Sequence, residues 1–215
     1  MTCRKALYAA ALTALDVEMA RLFAGLGAEV AARTSLIITS DHGEELWDHA
    51  PAEYASAQHL DRWGVDHGHT LYEELVHVPL LLVPPLAAEA PPQARSEALV
   101  SIADVFATVL GLAGAGAAGR GTAHDLSTIL SRPLWTDREY ALSETTLYGP
   151  DRVAVTTPEL RAIFTEPNET VVFDRLADPQ ELRPLPADGP LARRGAALLD
   201  LVRVEWMDSH VQERP

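Results

Sequence analysis

The 215 residues carry 31 Asp and Glu against 17 Lys and Arg, a formal net charge of -14, and 47% of them are hydrophobic. That is enough to bury one substantial core, while the acidic balance excludes a general nucleic-acid binder, which neutralises phosphates with basic stripes. No run approaches the roughly 18 consecutive apolar residues of a membrane span, and Cys3, the only cysteine, leaves neither an intrachain disulfide nor a thiolate metal cluster.

Leu12, Leu15, Met19, Leu22 and Leu26 recur at helical spacing, which predicts an amphipathic helix over residues 5–26 with Gly27 as its C-terminal glycine. Arg4 and Lys5 ahead of the apolar stretch Ala6–Leu15 mimic a secretory signal. The periodicity, however, continues through Asp16 and Glu18 and no clear cleavage site intervenes. As encoded the chain reads as cytoplasmic, with an upstream signal as the alternative, and the compartment stays open. Ser35–Thr39 is a compact, β-branched apolar run, expected as a strand covered on both faces in a mostly parallel sheet. It ends at Ser40-Asp41-His42-Gly43, and open α/β sheets place their sites at the carboxyl ends of strands.

Residues 44–70 read as a long polar loop, 71–75 as a helical turn, Val78–Val83 as a second buried strand closed by Pro84-Pro85, and 84–95 as a connector. Ile102, Val105, Phe106, Val109 and Leu112 line one face of a packing helix over 101–112, which glycines at 114, 116 and 119 break. Beyond Pro133 come short extended pieces, Arg152–Thr156, Arg161–Phe164 and Thr170–Phe173, then a helix over Leu191–Trp206. The predicted organisation is an α/β region over residues 1–132 and a small sheet-plus-helix subdomain over 133–215.

Six of the eight histidines, at 42, 49, 59, 67, 69 and 77, crowd together with Asp41, Glu44, Glu45, Asp48, Asp61 and Asp66. Imidazole mixed with carboxylate suits Zn, Mn or Fe, whereas carboxylates with few nitrogens suit Ca or Mg. Asp41 and His42 make the best ligand pair, because a rigid strand end can aim adjacent side chains at one ion. An Asp at a strand end is also a common cap, and His-Gly is common in turns, so spacing alone leaves both readings standing. His67-Gly68-His69 reads as a two-ligand pair. His49, His59 and His77 read individually as structural or solvated, and Glu73 and Glu74 as bases or as helix-start carboxylates. No G-x-S-x-G elbow, P-loop, dinucleotide fingerprint or paired C-x-x-C is present.

Together, ITSDHGEELWDH (38–49) followed by HGHTLYEELVHVPLLLVPP (67–85) resembles the sulfatases of the alkaline phosphatase superfamily, with both motifs in the expected order. The helix over 6–26 is similar to the one preceding this strand in the family, and Val100–Leu112 to its Asp-x-x-Pro-Thr-Leu helix, with Ala107 where proline is usual. Tyr140–Glu144 and residues 172–185 are similar to its C-terminal subdomain. The resemblance implies the C-terminal half of that fold: a mixed, mostly parallel sheet flanked by helices, with a small C-terminal antiparallel sheet plus helix.

It also implies a metal-dependent hydrolase of sulfuric esters, or else a phosphoesterase or phosphoglycerol/phosphoethanolamine transferase of the same superfamily. A non-catalytic binding remnant is the third reading. Asp41 and His42 match the family's metal-binding pair, which implies one divalent ion, calcium by family with Mn, Mg and Zn as alternatives. His67 matches the position that contacts the sulfate or phosphate group of an anionic ester substrate and helps protonate the leaving oxygen, and His69 stands beside it as a second candidate catalytic residue. Thr70-Leu71-Tyr72-Glu73 and Val78-Pro79 are expected as framework. The family's Cys/Ser-x-Pro-x-Arg nucleophile motif is absent, since Ser131-Arg132-Pro133 lacks the following arginine and Cys3-Arg4-Lys5 lacks the proline. An N-terminal complementing segment is therefore an expected partner, and without it the strand faces at 35–39 and 78–83 are expected to lack cover.

Overall fold

The structure, a computed structural model, describes residues 2–55, 64–85, 88, 95–115, 123–130 and 137–211. Its helices are α1 (Thr2–Gly25), α2 (Gly27–Ala31), α3 (Ala50–Ala55), α4 (Glu73–Val76), α5 (Asp104–Leu112) and α6 (Pro190–Val211). Its strands are β1 (Leu36–Thr39), β2 (Glu45–Leu46), β3 (Val65–Asp66), β4 (Leu80–Val83), β5 (Ala141–Thr145), β6 (Arg152–Thr156), β7 (Leu160–Thr165) and β8 (Glu169–Asp174). They group into two compact units. The first holds Met1–Asp41 and Pro79–Asp137, and the second His42–Val78 and Arg138–Pro215.

In the first unit the expected helix is present, and Gly27 has φ +71, a left-handed conformation that glycine adopts without the Cβ penalty. Its apolar stripe is uncovered among the described residues: Leu7, Leu12, Leu15 and Leu22 are each at least half exposed. Helical spacing predicts a helix and a face, but it carries no information about what covers that face. β1 pairs with β4 antiparallel, Leu36 opposite Val83 and Thr39 opposite Leu80. A mostly parallel sheet is not seen, because every strand pairing among the described residues is antiparallel. A short apolar run marks a buried strand but does not encode the direction of its neighbour.

Helix α5 turns a different face inward from the one its apolar spacing predicts. Asp104, Ala107 and Thr108 are buried, while Ile102, Phe106 and Val109 are exposed. The polar pair explains the choice. The Asp104 carboxylate accepts the Ser101 N–H at 2.7 Å and the His124 N–H at 2.8 Å. The Thr108 hydroxyl donates to the Asp104 carbonyl at 2.7 Å and accepts the Leu126 N–H at 3.0 Å. Buried polar groups need partners, and these partners tie the 3-10 turn Leu126–Leu130 to that side of the helix.

The second unit is built on the antiparallel meander β5-β6-β7-β8. Alternation sends Val153, Val155, Leu160, Ala162, Phe164 and Val172 to one face, where Ala192, Leu199 and Val202 of α6 complete a core. Ala154, Ile163 and Phe173 go to the other face, beneath Leu71, Tyr72 and Val76. Period-two alternation in each strand is the cause, and it makes both faces apolar. The expected strands at 152–156, 161–164 and 170–173 and the helix over 191–206 all lie within observed elements. The expected loop 44–70 holds more order than predicted: α3 and the two-residue β2-β3 ladder, Glu45 opposite Asp66 and Leu46 opposite Val65.

Candidate metal and anion site

After β1 the chain passes Ser40 and Asp41, the last residues of that segment of the first unit, and enters the second at His42. Asp41 is exposed, with the Ser40 hydroxyl 3.5 Å from one carboxylate oxygen. Gly43 then runs flush against the backbone of α4. Its N–H donates to Leu75 O at 2.8 Å, and the Glu44 N–H donates to Glu74 O at 3.2 Å. A Cβ at Gly43 would sit 1.8 Å from Glu74 O, so only glycine permits this approach.

That anchorage aims the two flanking side chains. The His42 ring places Nδ1 2.7 Å from Gly43 O and stacks on the His67 ring, with centroids 3.7 Å apart and planes 25° from parallel. His67 Nδ1 lies 3.2 Å from Glu44 Oε2. Behind His67, Gly68 has φ +81, and its carbonyl accepts the Thr145 hydroxyl at 2.8 Å and the Tyr148 N–H at 3.1 Å. His42, Glu44 and His67, all half-buried, each offer one ligand atom, with all three atoms within 4.8 Å of one another. Residues 25 positions apart in the sequence are thus brought into ring contact.

His69 goes elsewhere. In an extended strand His67 and His69 would share a face, but the left-handed turn at Gly68 sends the second ring inward, where it is 0% exposed. Its Nε2 lies 2.8 Å from Glu45 Oε2 and 3.4 Å from Glu53 Oε1. Burial pushes the imidazole pKa down, but the hydrogen bonds to Glu45 and Glu53 outweigh it and hold the ring at about 9. Glu45 is displaced upward, by burial first and then by neighbouring carboxylates, against the pull of His69. Glu53 moves downward because His69 and the Gly64 N–H overcome its burial. Arg152 donates to the His69 carbonyl.

A third set of charges forms the frame. His49, 3% exposed, lies between Glu74 Oε1 at 2.6 Å and Glu181 O at 3.0 Å, and stacks on Tyr72 at 3.9 Å. Burial opposes its charge, yet Glu74 raises its pKa. Arg161, 1% exposed, donates to Leu71 O at 3.2 Å and to Glu73, and its Nε pairs with Glu181 Oε1 at 2.8 Å. Burial lifts Glu181 to about 7 despite that arginine. Glu73 and Glu74 are therefore engaged as framework, Glu73 also with His77 at 2.6 Å. His59 and Asp61 lie outside the described residues. Sequence reasoning missed Glu53, Arg152, Arg161 and Glu181, because an isolated Glu or Arg reads as solvated charge, and only tertiary contact shows which ones are buried.

Of the expected pair, His42 falls in the His42–Glu44–His67 group that could hold a metal ion, with its Nδ1 engaged by the Gly43 carbonyl, whereas Asp41 is not part of that group. A sequence profile of the sulfatase family matches residues 4–115. No curated protein matches the chain closely enough to count as a relative. Among solved structures, the chain is similar to BT4656, seen with its substrate D-glucosamine-2-N,6-O-disulfate, at 20% identity and a TM-score of 0.66, over 92% of this chain and 40% of that one. It is also similar to BT1596, a 2-O GAG sulfatase, at 20% identity and a TM-score of 0.59, over 83% and 36%. The phosphonate monoester hydrolase of Agrobacterium radiobacter gives 18% identity and a TM-score of 0.66, over 88% and 38%. The fold is thus a mixed α/β fold matching sulfatase structures, and the chain spans about two fifths of the length of those proteins.

Proposed function

The chain belongs to the sulfatase family, and from that premise we propose that it supplies the metal-ligand and anion-contacting part of a sulfuric ester hydrolase site. In this reading Asp41 and His42 hold the divalent ion and His67 contacts the ester's transferring group. The observation that carries it is the His42–His67 ring stack at 3.7 Å, since the reading needs its anion-contacting histidine close to its metal ligand. Glu44, 3.2 Å from His67 Nδ1, orients the ring. His67 is then the candidate general acid for the leaving oxygen as the ester bond breaks. A bound divalent ion supplies positive charge where the sulfate or phosphate group develops negative charge. Calcium is the reading by family, and Mn, Mg and Zn remain alternatives by donor type.

His69 serves in this proposal as a positioning residue, since its buried ring cannot reach a substrate. The nucleophile comes from a complementing N-terminal segment carrying the family's nucleophile motif. A second reading, hydrolysis of phosphate or phosphonate esters, draws on the similarity to the phosphonate monoester hydrolase, whose TM-score equals that of BT4656. The test joins the chain to such a segment and assays aryl sulfate, phosphate monoester, phosphodiester and phosphonate monoester substrates. Metal-dependent turnover that Asp41→Ala abolishes supports the proposal, and the preferred substrate decides between the two readings. Equal, metal-independent turnover by the Asp41→Ala variant would overturn both.

A further inference from the structure

Away from Asp41 and His42, three side chains in the second unit converge, two of which, Glu45 and Glu53, have no part in the proposed reaction and the third of which, His69, does not touch substrate there. We propose that Glu45, Glu53 and His69 form a separate, structural metal site that takes a tetrahedral transition-metal ion of the zinc class.

The spacing supports this first. His69 Nε2 lies 2.8 Å from Glu45 Oε2 and 3.4 Å from Glu53 Oε1, and all three ligand atoms lie within 4.8 Å of one another. Ligands about 2.1 Å from a tetrahedral ion stand roughly 3.4 Å apart, a separation that the His69–Glu53 pair already has and that the His69–Glu45 pair reaches by opening about 0.6 Å. Each carboxylate is also oriented as a ligand. Glu45 turns its other oxygen to the His49 N–H at 3.2 Å, and Glu53 turns its own to the Gly64 N–H at 2.6 Å. One oxygen of each is thereby fixed by backbone and the second directed at His69, the outer-sphere arrangement that metal sites need.

Burial supplies the next argument. Glu45 and His69 are 0% exposed and the Glu53 side chain is 10% exposed, so the ligands are closed off except at the Glu53 edge, which gives an entry path. Among the described residues, His69 Nδ1 is buried without a hydrogen-bond partner, so Glu45 and Glu53 engage this ring through Nε2 alone. Two buried carboxylates balance one divalent ion. The ligand chemistry excludes calcium, which takes six to eight oxygens. Carboxylate-imidazole donors at tetrahedral spacing suit zinc and its neighbours.

The ion would join β2, α3 and the turn leading out of β3. It would hold His69 on one side of Gly68 while His67 faces the other way. The site shares no ligand with Asp41, His42 or His67, and metal binding here is read out without the reaction assigned above.

The test uses the full chain carrying Asp41→Ala and His42→Ala, which removes the family metal pair and a member of the His42–Glu44–His67 group. Titration with Co(II) should show one equivalent bound, with the intense visible absorption of tetrahedral cobalt, displaced by Zn(II). Adding Glu53→Gln or His69→Gln should weaken binding by more than about 100-fold. No bound Co(II), an octahedral spectrum, or unchanged binding in Glu53→Gln each overturns the proposal. If His69→Gln does not fold, Glu53→Gln at the rim carries the comparison. If neither folds, a rise in melting temperature of the Asp41→Ala/His42→Ala chain with Zn(II) supports the site, and an unchanged melting temperature overturns it.

Discussion

The two units solve the problem of apolar surface differently. In the second, both faces of the four-stranded sheet are covered, and Ala154, Val155, Leu160 and Ala162 are 0% exposed. In the first, the described ladder has two strands, and Leu81, Val83, Phe106 and Val109 are 40–61% exposed. A two-stranded ladder is marginal by itself, whereas a sheet filled on both sides is rigid. The histidine-rich segment 42–78 groups with the filled sheet. The contrast teaches that the segment carrying His42, His67 and His69 is held by the unit that completes its own core, through Arg161 to Leu71 O, Arg152 to His69 O and Thr145 to Gly68 O.

The largest effect should come from Arg161→Ala, which leaves Glu73 and Glu181 without their guanidinium in a buried setting and should cost about 3–5 kcal/mol in a urea titration. A midpoint unchanged by that variant would show that the frame does not depend on this arginine. Leu199→Ala, emptying a position 1% exposed, should cost about 2–5 kcal/mol.

A pH series sharpens the same contrast. His49 and His69 both have folded pKa values above 6.5, so the stability they lend is fully present below 6.5. It is lost as pH rises through the folded values, about 9 for His69. With a chelator present, the melting temperature of the chain should fall between pH 6.5 and 9, and a flat profile would contradict the buried charged pairs. Glu53 and Glu73 have lowered values, and their contribution is present above 4.5 and lost on acidification. The smallest effect belongs to the first unit: Phe106→Ala, at a side chain 61% exposed, should change stability by no more than about 0.5 kcal/mol. If it costs as much as Leu199→Ala, the contrast between the units fails.

Local pattern made much of this legible. Alternation in 152–156 and 170–173 marks strands because pleating is a local geometry, and the spacing over 191–206 marks α6 because helix periodicity is local as well. The Asp-His-Gly-Glu strand end drew attention to His42 and to Gly43, whose necessity lies in the 1.8 Å that would separate any Cβ there from Glu74 O. Pairing direction was not legible, since Leu36–Thr39 is apolar whichever way β4 runs. Nor was the inward face of α5, which Asp104 and Thr108 decide through hydrogen bonds to residues 20 and 18 positions away.

By itself, the sequence determined the family, the elements with strong local periodicity, and the pair Asp41-His42 as candidate ligands, because motif order and residue spacing are written along the chain. Only the tertiary structure decided which charges are buried together. It stacked His67 on His42 and, by one left-handed residue at Gly68, sent His69 to Glu45 and Glu53. Burial depends on contacts between segments far apart in the sequence, and a charge has no sign in the sequence that marks it for the interior.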